Sequence, residues 1–294
     1  MRLKADLMLF LVAILWGSAF AAQRVAGQMG SVYLFNGARF LLAAMILFPF
    51  IRHGKATHQQ WIWMSAAGAI LFIASAFQQV GMLTTTAGNA GFITSLYVIF
   101  VPFLMFVGWR QKPHWMAVLA AILAGVGAFL LSTGGMFEVR KGDALELAGA
   151  FFWALHVVLL GKFALRFASL SFAAGQFFVG GVLNMLAGLI VENHIIAEPI
   201  RLTGAILYTA VFSVGLGYTL QVWAQRHTPP TDAALILSLE AVFAVLGGWL
   251  VLNETLVPIQ LMGCGLILMA VLLSQVKEWN SGKIEPRMNT DEIA

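Results

Sequence analysis

Long apolar segments alternate with short polar connections along almost the whole chain. Ten segments can be marked off, and each has about the 20 residues that an α-helix needs to cross a bilayer. The pattern therefore predicts an all-α membrane protein with ten transmembrane helices and no room for a soluble catalytic domain. The approximate spans are 6–26, 31–50, 61–82, 88–108, 114–132, 143–163, 171–192, 203–224, 231–252 and 257–276.

The composition agrees with this interpretation. Hydrophobic residues make up 60% of the chain, charged residues make up 10%, and the mean hydropathy is +0.87. In a soluble domain about a quarter of the residues are charged. The composition excludes an ordinary soluble protein and predicts that the lipid bilayer surrounds most of the chain.

The basic residues indicate how the spans are oriented. With ten spans both termini lie on one side, and that side collects most of the lysines and arginines. Because cytoplasmic loops carry the excess of basic residues, both termini are predicted to be cytoplasmic. The same residues are spread over many loops and form no single patch, which argues against a nucleic-acid partner. The predicted cytoplasmic group is Arg2, Lys4, Arg52, Lys55, Arg110, Lys112, Lys162, Arg166, Arg226, Lys277, Lys283 and Arg287, and the outer group is Arg24, Arg140, Lys141 and Arg201.

An internal repeat runs through the chain. The Ser-Leu pair at 95–96 recurs at 238–239, Trp16 recurs as Trp153, and the Leu-Leu-Ser tripeptide at 130–132 recurs at 272–274. Five spans form one repeat unit, and because five is odd the second unit enters the membrane from the opposite side. The fold prediction is therefore two inverted five-helix repeats, a device that lets two bundles rock around a site at the middle of the bilayer. The predicted units are 6–132 and 143–276, and residues 277–294 are predicted to form a disordered cytoplasmic tail.

Two charged residues lie well inside predicted spans. Glu240 is ten residues into the ninth span, and Arg39 is the basic residue deepest in a span. At a rise of about 1.5 Å per residue, Arg39 lies about 12 Å below the outer surface and Glu240 about 14 Å above the inner surface. Their depths in a core of about 30 Å are therefore similar, and we predict that they pair. Charges inside a membrane mark functional sites, although Arg39 can also be interpreted as a structural anchor.

Aromatic and amide side chains recur near the same depth and predict a mixed cavity. Arg39 is expected to orient a carboxylate or brace the cavity, and Glu240 is expected to neutralise an amine, pair with Arg39 or take a proton. His156 shares a face with Trp153 and is a candidate for proton coupling, while core packing and interhelical hydrogen bonding stay open for each residue. The predicted substrate cavity consists of Trp16, Arg39, Gln78, Gln79, Asn89, Tyr97, Trp153, His156, Tyr218, Gln221 and Glu240.

The fifth and tenth spans contain small residues and almost nothing polar. Small residues allow close backbone approach between membrane helices. We assign these spans to packing, either within the chain or against a second copy in a homodimer.

The order of several motifs is familiar. In LWGSAF (15–20), ARFLLAA (38–44), SLEAVFAVLGGWLVLNE (238–254) and the duplication, the chain resembles the EamA-type branch of the drug/metabolite transporter superfamily. The likeness covers about residues 6–276. It implies a ten-helix basket in which spans three, four, eight and nine surround a cavity and spans one, two, six and seven move around it. Members export or exchange metabolites, including amino acids, and drugs, and some relatives move sugars or nucleotide sugars.

The repeat and the resemblance together predict a secondary transporter of the bacterial inner membrane. It would export or exchange a small metabolite, with an amino acid or a related amphipathic compound as the first expectation, by alternating access. A multidrug transporter and a sugar or nucleotide-sugar transporter are the alternatives, and a passive channel is disfavoured by the inverted repeat. Proton antiport, exchange and facilitated diffusion all stay open.

An intramembrane enzyme is the alternative from another class. It would need a nucleophile with a base, or a set of metal ligands. The chain has no His pair at metal spacing, no nucleophile elbow and no phosphate-binding loop, and its single cysteine, Cys264, excludes a disulfide within the chain. We therefore expect no enzymatic activity, no catalytic residue, no metal and no cofactor.

Overall fold

All ten predicted spans are helical in the computed structural model, which describes residues 1–29, 32–51, 57–133, 141–163, 167–192, 199–253 and 257–281. The predicted all-α fold of ten transmembrane helices in two inverted repeats is confirmed. Three spans are interrupted, and their parts are given separate letters. The helices are α1 (Arg2–Gln28), α2 (Tyr33–Leu47), α3 (His58–Gly81), α4a (Ala87–Ser95), α4b (Tyr97–Trp109), α5 (Trp115–Thr133), α6 (Lys141–Phe163), α7 (Ser169–Val191), α8a (Pro199–Tyr208), a π-helical segment (Thr209–Tyr218), α8b (Thr219–Ala224), α9a (Pro230–Leu237), α9b (Glu240–Leu252) and α10 (Pro258–Ser281).

The distribution of side chains suits a lipid solvent. Eight spans are long and apolar enough to cross a membrane, and α5 and α10 contain the apolar stretches Trp115–Leu131 and Pro258–Leu273. Large apolar side chains such as Ile190 and Ile200 are exposed on the surface, whereas polar side chains are buried between the helices. This arrangement is expected because lipid cannot satisfy polar groups.

The fourth and ninth spans break at equivalent places. α4a ends at Ser95 and α9a ends one residue before Ser238, which lies 143 positions later. The hydroxyl of each serine donates to the carbonyl oxygen three residues earlier, at 2.7 Å in both cases. Serine can bond local carbonyls in this way and compete with the helical ladder. The same local contact therefore accompanies the break in both copies of the span.

The ends of these two spans are also equivalent. α4b is followed by Arg110 with φ 54°, and α9b is followed by Asn253 with φ 55°, again 143 positions apart. A left-handed residue after the last turn is a common helix end, and asparagine tolerates it better than arginine does. The left-handed conformation is therefore kept in both repeats, although Arg110 favours it less than Asn253 does.

Helix packing follows the pseudo-symmetry of the repeat. α2 packs on α7, and α5 packs on α10, so each of these pairs joins equivalent spans. The contacts of α3 and α4 with α6 correspond to the contacts of α8 and α9 with α1. The first and sixth spans are therefore each enclosed by helices of the opposite repeat, and the centre of the molecule lies between them.

The small residues of α5 and α10 are used within the chain. A Cβ atom on Gly127 would lie 2.7 Å from the carbonyl oxygen of Gly263, and one on Gly263 would lie 2.4 Å from the carbonyl oxygen of Gly127. Only glycine allows the two backbones to cross this closely. The predicted role in packing within the chain is thus seen directly, and a homodimer stays a prediction that these glycines do not support.

The start of α2 is held by α7. α2 has no side-chain cap of its own. The Glu192 carboxylate, just after α7, accepts hydrogen bonds from the backbone N–H groups of Val32, Tyr33 and Leu34, at 2.5, 2.8 and 3.0 Å. A carboxylate at this place satisfies unpaired donors and complements the positive end of the helix dipole.

The last helix extends further than the sequence pattern indicates. α10 continues to Ser281, so residues 277–281 are helical and not part of a tail. The apolar pattern stops earlier because a helix that leaves the bilayer needs no apolar face. The rest of the predicted tail, 282–294, lies outside the described residues, as do the loop cations Arg52, Lys55, Arg140 and Arg166.

Candidate functional site

A cavity lies at the centre of the bundle, between α1, α2, α3, α6 and the interrupted fourth, eighth and ninth spans. Its free volume is about 30 Å³, which is room for about two water molecules, so the cavity is nearly closed in this conformation. The walls combine aromatic rings, amides, one basic side chain, Arg39, and one acidic side chain, Glu240. The lining residues are Trp16, Phe20, Gln23, Arg39, Gln78, Thr94, Tyr97, Trp153, His156, Val157, Ser213, Tyr218, Gln221 and Glu240.

Nine of the eleven residues predicted for the substrate cavity are in this lining, and Gln79 and Asn89 are outside it. The Gln79 amide donates to the Gln23 carbonyl oxygen at 2.6 Å, so it joins α3 to α1. Asn89 lies in the first turn of α4a, where its backbone N–H is bonded by the Thr86 hydroxyl. Neither residue lines the cavity, so the structure does not support Gln79 and Asn89 as cavity residues.

An aromatic wall forms around Tyr218. The ring of Tyr218 lies 4.6 Å from that of Trp16 and 6.0 Å from that of Trp153, between centroids. The two tryptophans are repeat equivalents, so one tyrosine is placed between matching residues of both halves. Such a wall offers flat apolar surfaces to a ligand.

The π-helical segment positions this wall. Tyr218 is its last residue, and the indole N–H of Trp16 donates to the Ser213 carbonyl oxygen within it at 3.0 Å. π-Helical turns are rare and occur frequently at functional sites. Here the segment contributes both Tyr218 and the carbonyl oxygen that accepts from Trp16.

Arg39 is surrounded by rings and does not pair with Glu240. Its guanidinium carbon lies 5.1 Å from the Phe35 ring centre and 5.2 Å from the Phe40 ring centre, within cation–π distance. Among the described residues, the ion pairs within 4.0 Å are those of Arg2. The predicted Arg39–Glu240 pair is therefore wrong. Similar depth did not bring the side chains together, because α2 packs mainly on α7 and α9b packs mainly on α1.

Glu240 and Tyr97 begin the second halves of the two broken spans. Glu240 is the first residue of α9b and Tyr97 is the first residue of α4b. The Tyr97 hydroxyl and the Glu240 carboxylate are buried and interact with each other, but neither the hydroxyl nor Glu240 Oε1 makes a hydrogen bond within 3.5 Å. Half-helix N-termini near the middle of the bilayer are typical binding elements of transporters. The serine breaks described above therefore place both groups at the cavity.

Two further polar side chains of the cavity wall, His156 and Gln221, have atoms without a hydrogen-bond partner. His156 Nε2 lies 2.9 Å from Gln176 Oε1, which fixes the imidazole ring against α7. The remaining nitrogen of His156, Nδ1, has no partner, and neither amide atom of Gln221 has one. Unpaired polar groups are costly at this depth, so these atoms are available to a polar ligand or to water. No group of three His, Cys, Asp or Glu side chains among the described residues could hold a metal ion.

Five lining residues were not predicted from the sequence. Phe20 and Gln23 follow Trp16 at positions i+4 and i+7, and Val157 follows Trp153 at i+4. Extending each stripe by one or two turns would have found them. Thr94 lies just before the break in the fourth span, and Ser213 contributes through its backbone, for which the sequence carries no signal.

A charged cluster closes the face of the molecule where α1 begins, which we call the N-terminal face. Arg2 contacts the Asp6 carboxylate at 2.9 Å and the Asp232 carboxylate at 3.1 Å. The Thr228 hydroxyl donates to Asp6 at 2.8 Å. These contacts tie the start of α1 to the start of α9a, below the central cavity.

Known sequences share this pattern over the whole chain. The profile of the EamA-like transporter family matches residues 3–133 and again residues 140–275. The chain belongs to this family. Each match covers five of the ten spans, so both halves carry the family pattern independently.

Relatives of similar length support the assignment. An uncharacterized transporter of Archaeoglobus fulgidus is 34% identical over 278 residues, which are 94% of this chain and 87% of that protein. The uncharacterized inner membrane transporter YedA of Escherichia coli K12 is 27% identical over 90% of this chain and 88% of its own length. The S-adenosylmethionine/S-adenosylhomocysteine transporter of Chlamydia trachomatis serovar L2 is 24% identical over 95% of this chain and 91% of its own length.

A solved crystal structure also has the same fold. It superposes with a TM-score of 0.79 at 15% sequence identity, over 96% of this chain and 100% of the other. At this identity the likeness concerns the fold alone. Family and relatives together make this protein a multi-pass membrane transporter of the EamA-like family.

Proposed function

We propose that this protein is a secondary transporter that exports or exchanges a small zwitterionic metabolite, an amino acid or a compound built on one. Both termini lie in the cytoplasm in this proposal, and the bilayer is the inner membrane. The central cavity is the substrate site, and the protein carries out no chemical reaction on its cargo.

The observation that carries the proposal is the separation of Arg39 and Glu240 within one cavity. Both side chains are buried and line the same space, yet they do not form an ion pair. A guanidinium and a carboxylate that do not neutralise each other can bind opposite ends of a zwitterion. The carboxylate of the substrate would approach Arg39, because planar guanidinium groups match carboxylates, and its ammonium group would approach Glu240.

The rest of the lining supports a substrate with an apolar or flat side chain. Trp16, Trp153 and Tyr218 provide adjacent ring surfaces, with Trp153 stacked on Tyr218 and Trp16 tilted against it. The Gln221 amide, which has no partner in the protein, can bond a polar substituent. Apolar walls with a few convergent polar groups are the usual composition of small-molecule sites.

One relative adds chemical support. The chlamydial relative is named for S-adenosylmethionine and S-adenosylhomocysteine, both of which are α-amino acids with a flat adenine ring. A cavity with separated charges and an aromatic wall suits this class of compound. The same features suit a free aromatic amino acid, which is smaller.

Alternating access follows from the breaks and the charged cluster. The fourth and ninth spans are interrupted at the cavity, so their halves can move separately around it. The cluster of Arg2, Asp6 and Asp232 holds α1 against α9a at the N-terminal face. In this proposal the cluster opens when the cavity faces the cytoplasm and closes when it faces outward.

The proposal is tested by uptake of a labelled panel into proteoliposomes. The panel contains aromatic and aliphatic amino acids, S-adenosylmethionine, a cationic drug and a sugar. We expect uptake of at least one amino-acid compound by the unaltered protein and its loss in Arg39→Gln and in Glu240→Gln. Gln176 lies 137 positions after Arg39, as Trp153 lies after Trp16, so glutamine is the residue that the second repeat carries at the position of Arg39. Cys264→Ala serves as the control, because Cys264 lies outside the cavity.

Uptake of the drug or the sugar without any amino-acid compound would reject the proposed substrate class. Equal uptake of an amino acid by the unaltered protein and by both charge variants would reject the proposed site. The two failures are therefore distinguishable.

A further inference from the structure

A second buried carboxylate lies close to the cavity but not in its wall. Glu146 is in α6, about one turn from its start, and its side chain is fully buried. It is not among the residues that line the cavity. The sequence pattern gave no special weight to this residue, because it lies near the predicted end of the sixth span.

A single hydroxyl connects Glu146 to the cavity. The Thr94 hydroxyl lies 3.3 Å from Glu146 Oε2, and it accepts a hydrogen bond of 2.9 Å from the Gln78 amide. Both Thr94 and Gln78 line the cavity. Because the amide occupies the acceptor side of the hydroxyl, the Thr94 proton is directed toward Glu146. The bond is long for an O–H···O contact, so it satisfies the carboxylate only in part.

The surroundings of Glu146 contain no compensating cation among the described residues. Its Oε1 atom has no hydrogen-bond partner, and no ion pair includes it. From α3 it is faced by Gly81, and from α4a by Thr94, both of them uncharged. The charged group that interacts with it is Asp143, one turn earlier on α6, which has the same sign.

These contacts favour the protonated form of Glu146. A buried carboxylate without a cation is costly in a medium of low dielectric constant, and binding a proton removes the charge. The neighbouring Asp143 adds repulsion to any negative charge on Glu146. We propose that Glu146 is the proton-binding site that couples transport to the proton gradient, and that it is loaded from the cavity through Thr94.

The proton balance of this step is simple. When Glu146 is ionised, the Thr94 hydroxyl passes its proton to Glu146 Oε2 and accepts another, on its second lone pair, from a hydrated proton in the cavity, which is left as neutral water. The reverse sequence releases the proton to the cavity. No group is oxidised or reduced. The substrate and the proton therefore have different sites, Glu240 for the substrate ammonium and Glu146 for the proton, and Gln78 and Thr94 connect them.

Proton binding at Glu146 is independent of the substrate, whereas its role in coupling rests on the proposed function. The first measurement therefore uses no substrate. Infrared difference spectra of the purified full-length protein, recorded between two pH values, report the carbonyl stretch of protonated carboxyl groups. We expect one such band to disappear in Glu146→Gln and to remain in Asp143→Asn. Identical bands in Glu146→Gln and the unaltered protein would overturn the proposal.

The second measurement concerns coupling. In proteoliposomes that take up a substrate, an imposed pH gradient should stimulate uptake by the unaltered protein. Glu146→Gln should lose this stimulation, Thr94→Val should lose most of it, and Thr94→Ser should restore it because the hydroxyl returns. Stimulation by a sodium gradient instead of a pH gradient, or undiminished stimulation in Glu146→Gln, would contradict the proposal. If no compound is taken up at all, the proposed function fails, and the infrared result still decides whether Glu146 binds a proton.

Discussion

Arg39 and Glu240 line one cavity without forming an ion pair. The guanidinium group of Arg39 lies between the rings of Phe35 and Phe40, and Glu240 Oε1 has no hydrogen-bond partner in the protein. Cation–π contacts can stabilise a desolvated guanidinium by about 2 kcal/mol or more, but they supply no hydrogen-bond acceptor, and Arg39 Nε has none in the protein. Each charge therefore gains from a ligand of opposite sign, and a zwitterion provides both.

Trp16→Phe tests the contact between α1 and the π-helical segment. The change keeps most of the ring surface but removes the N–H that donates to the Ser213 carbonyl oxygen at 3.0 Å. The buried carbonyl group loses this donor, and we expect a loss of stability of about 1–3 kcal/mol. The measurement is the thermal unfolding midpoint in detergent.

Trp249→Phe is the matched control, because Trp249 is 49% exposed on the surface of the protein. It should leave the midpoint unchanged. Equal shifts in the two variants would show that the hydrogen bond to Ser213 contributes nothing specific.

Gly17→Ala tests the packing that positions Glu240. A Cβ atom at Gly17 would lie 2.3 Å from the Cβ of Phe243 and 2.6 Å from the Glu240 carbonyl oxygen. The start of α9b must move to make room, and overpacking of this kind costs about 1–3 kcal/mol. We expect a lower unfolding midpoint together with weaker transport.

Gly265→Ala is the control for this change, since nothing lies within 4 Å of a Cβ atom at Gly265. It removes a helical glycine without a clash and should be neutral or slightly stabilising. A Gly17→Ala protein as stable and as active as the Gly265→Ala protein would contradict the close packing of α1 on α9b.

Asp232→Asn tests the charged cluster at the N-terminal face. The change removes the ion pair with Arg2. Partly exposed pairs contribute about 0.2–1 kcal/mol, so the expected effect is a shift in the equilibrium between open and closed states and not unfolding. The chain has one cysteine, so Cys264→Ala provides a background in which Val157→Cys reports access to the cavity.

We expect a membrane-impermeant maleimide, added from the side of the N-terminal face, to label Val157→Cys about two- to fivefold faster when Asp232→Asn is present. Asp232→Glu keeps the charge and serves as the control. An unchanged labelling rate in Asp232→Asn would mean that the cluster does not hold this face closed.

Several features were predictable from the sequence because they depend on local pattern. The ten spans follow from the apolar segments, and the register of the repeat from residues such as Ser95 and Ser238. The breaks at these serines, and the left-handed residues Arg110 and Asn253, agree with that register. The same periodicity found most of the cavity, because a stripe on a helix shows which residues share a face.

Other features depend on which helices pack together, and the sequence does not show this. The similar depths of Arg39 and Glu240 in the bilayer suggested that the two side chains pair. They do not, because α2 packs mainly on α7 and α9b packs mainly on α1. Glu146 was missed because its importance comes from Gly81 and Thr94, which lie on other helices. The π-helical segment was missed as well, since its apolar residues resemble those of any membrane helix.

Glu192→Gln tests how α7 holds the start of α2. The amide keeps the size of the side chain but loses the charge that faces three backbone N–H groups. A charge at a helix N-terminus contributes about 0.3–1 kcal/mol. We expect a loss of stability in this range and faster hydrogen exchange at the first turn of α2. Exchange that is unchanged there would show that the carboxylate is not the cap.

The most direct test of the account compares three compounds that differ only at the charged groups. They are phenylalanine, its amide, which lacks the carboxylate, and 3-phenylpropionate, which lacks the amine. Uptake into proteoliposomes by the unaltered protein should be clear for phenylalanine and absent for the other two, because each of them leaves Arg39 or Glu240 without a partner. Uptake of the amide or of phenylpropionate at the rate of phenylalanine would contradict the claim that the two separated charges together select a zwitterion.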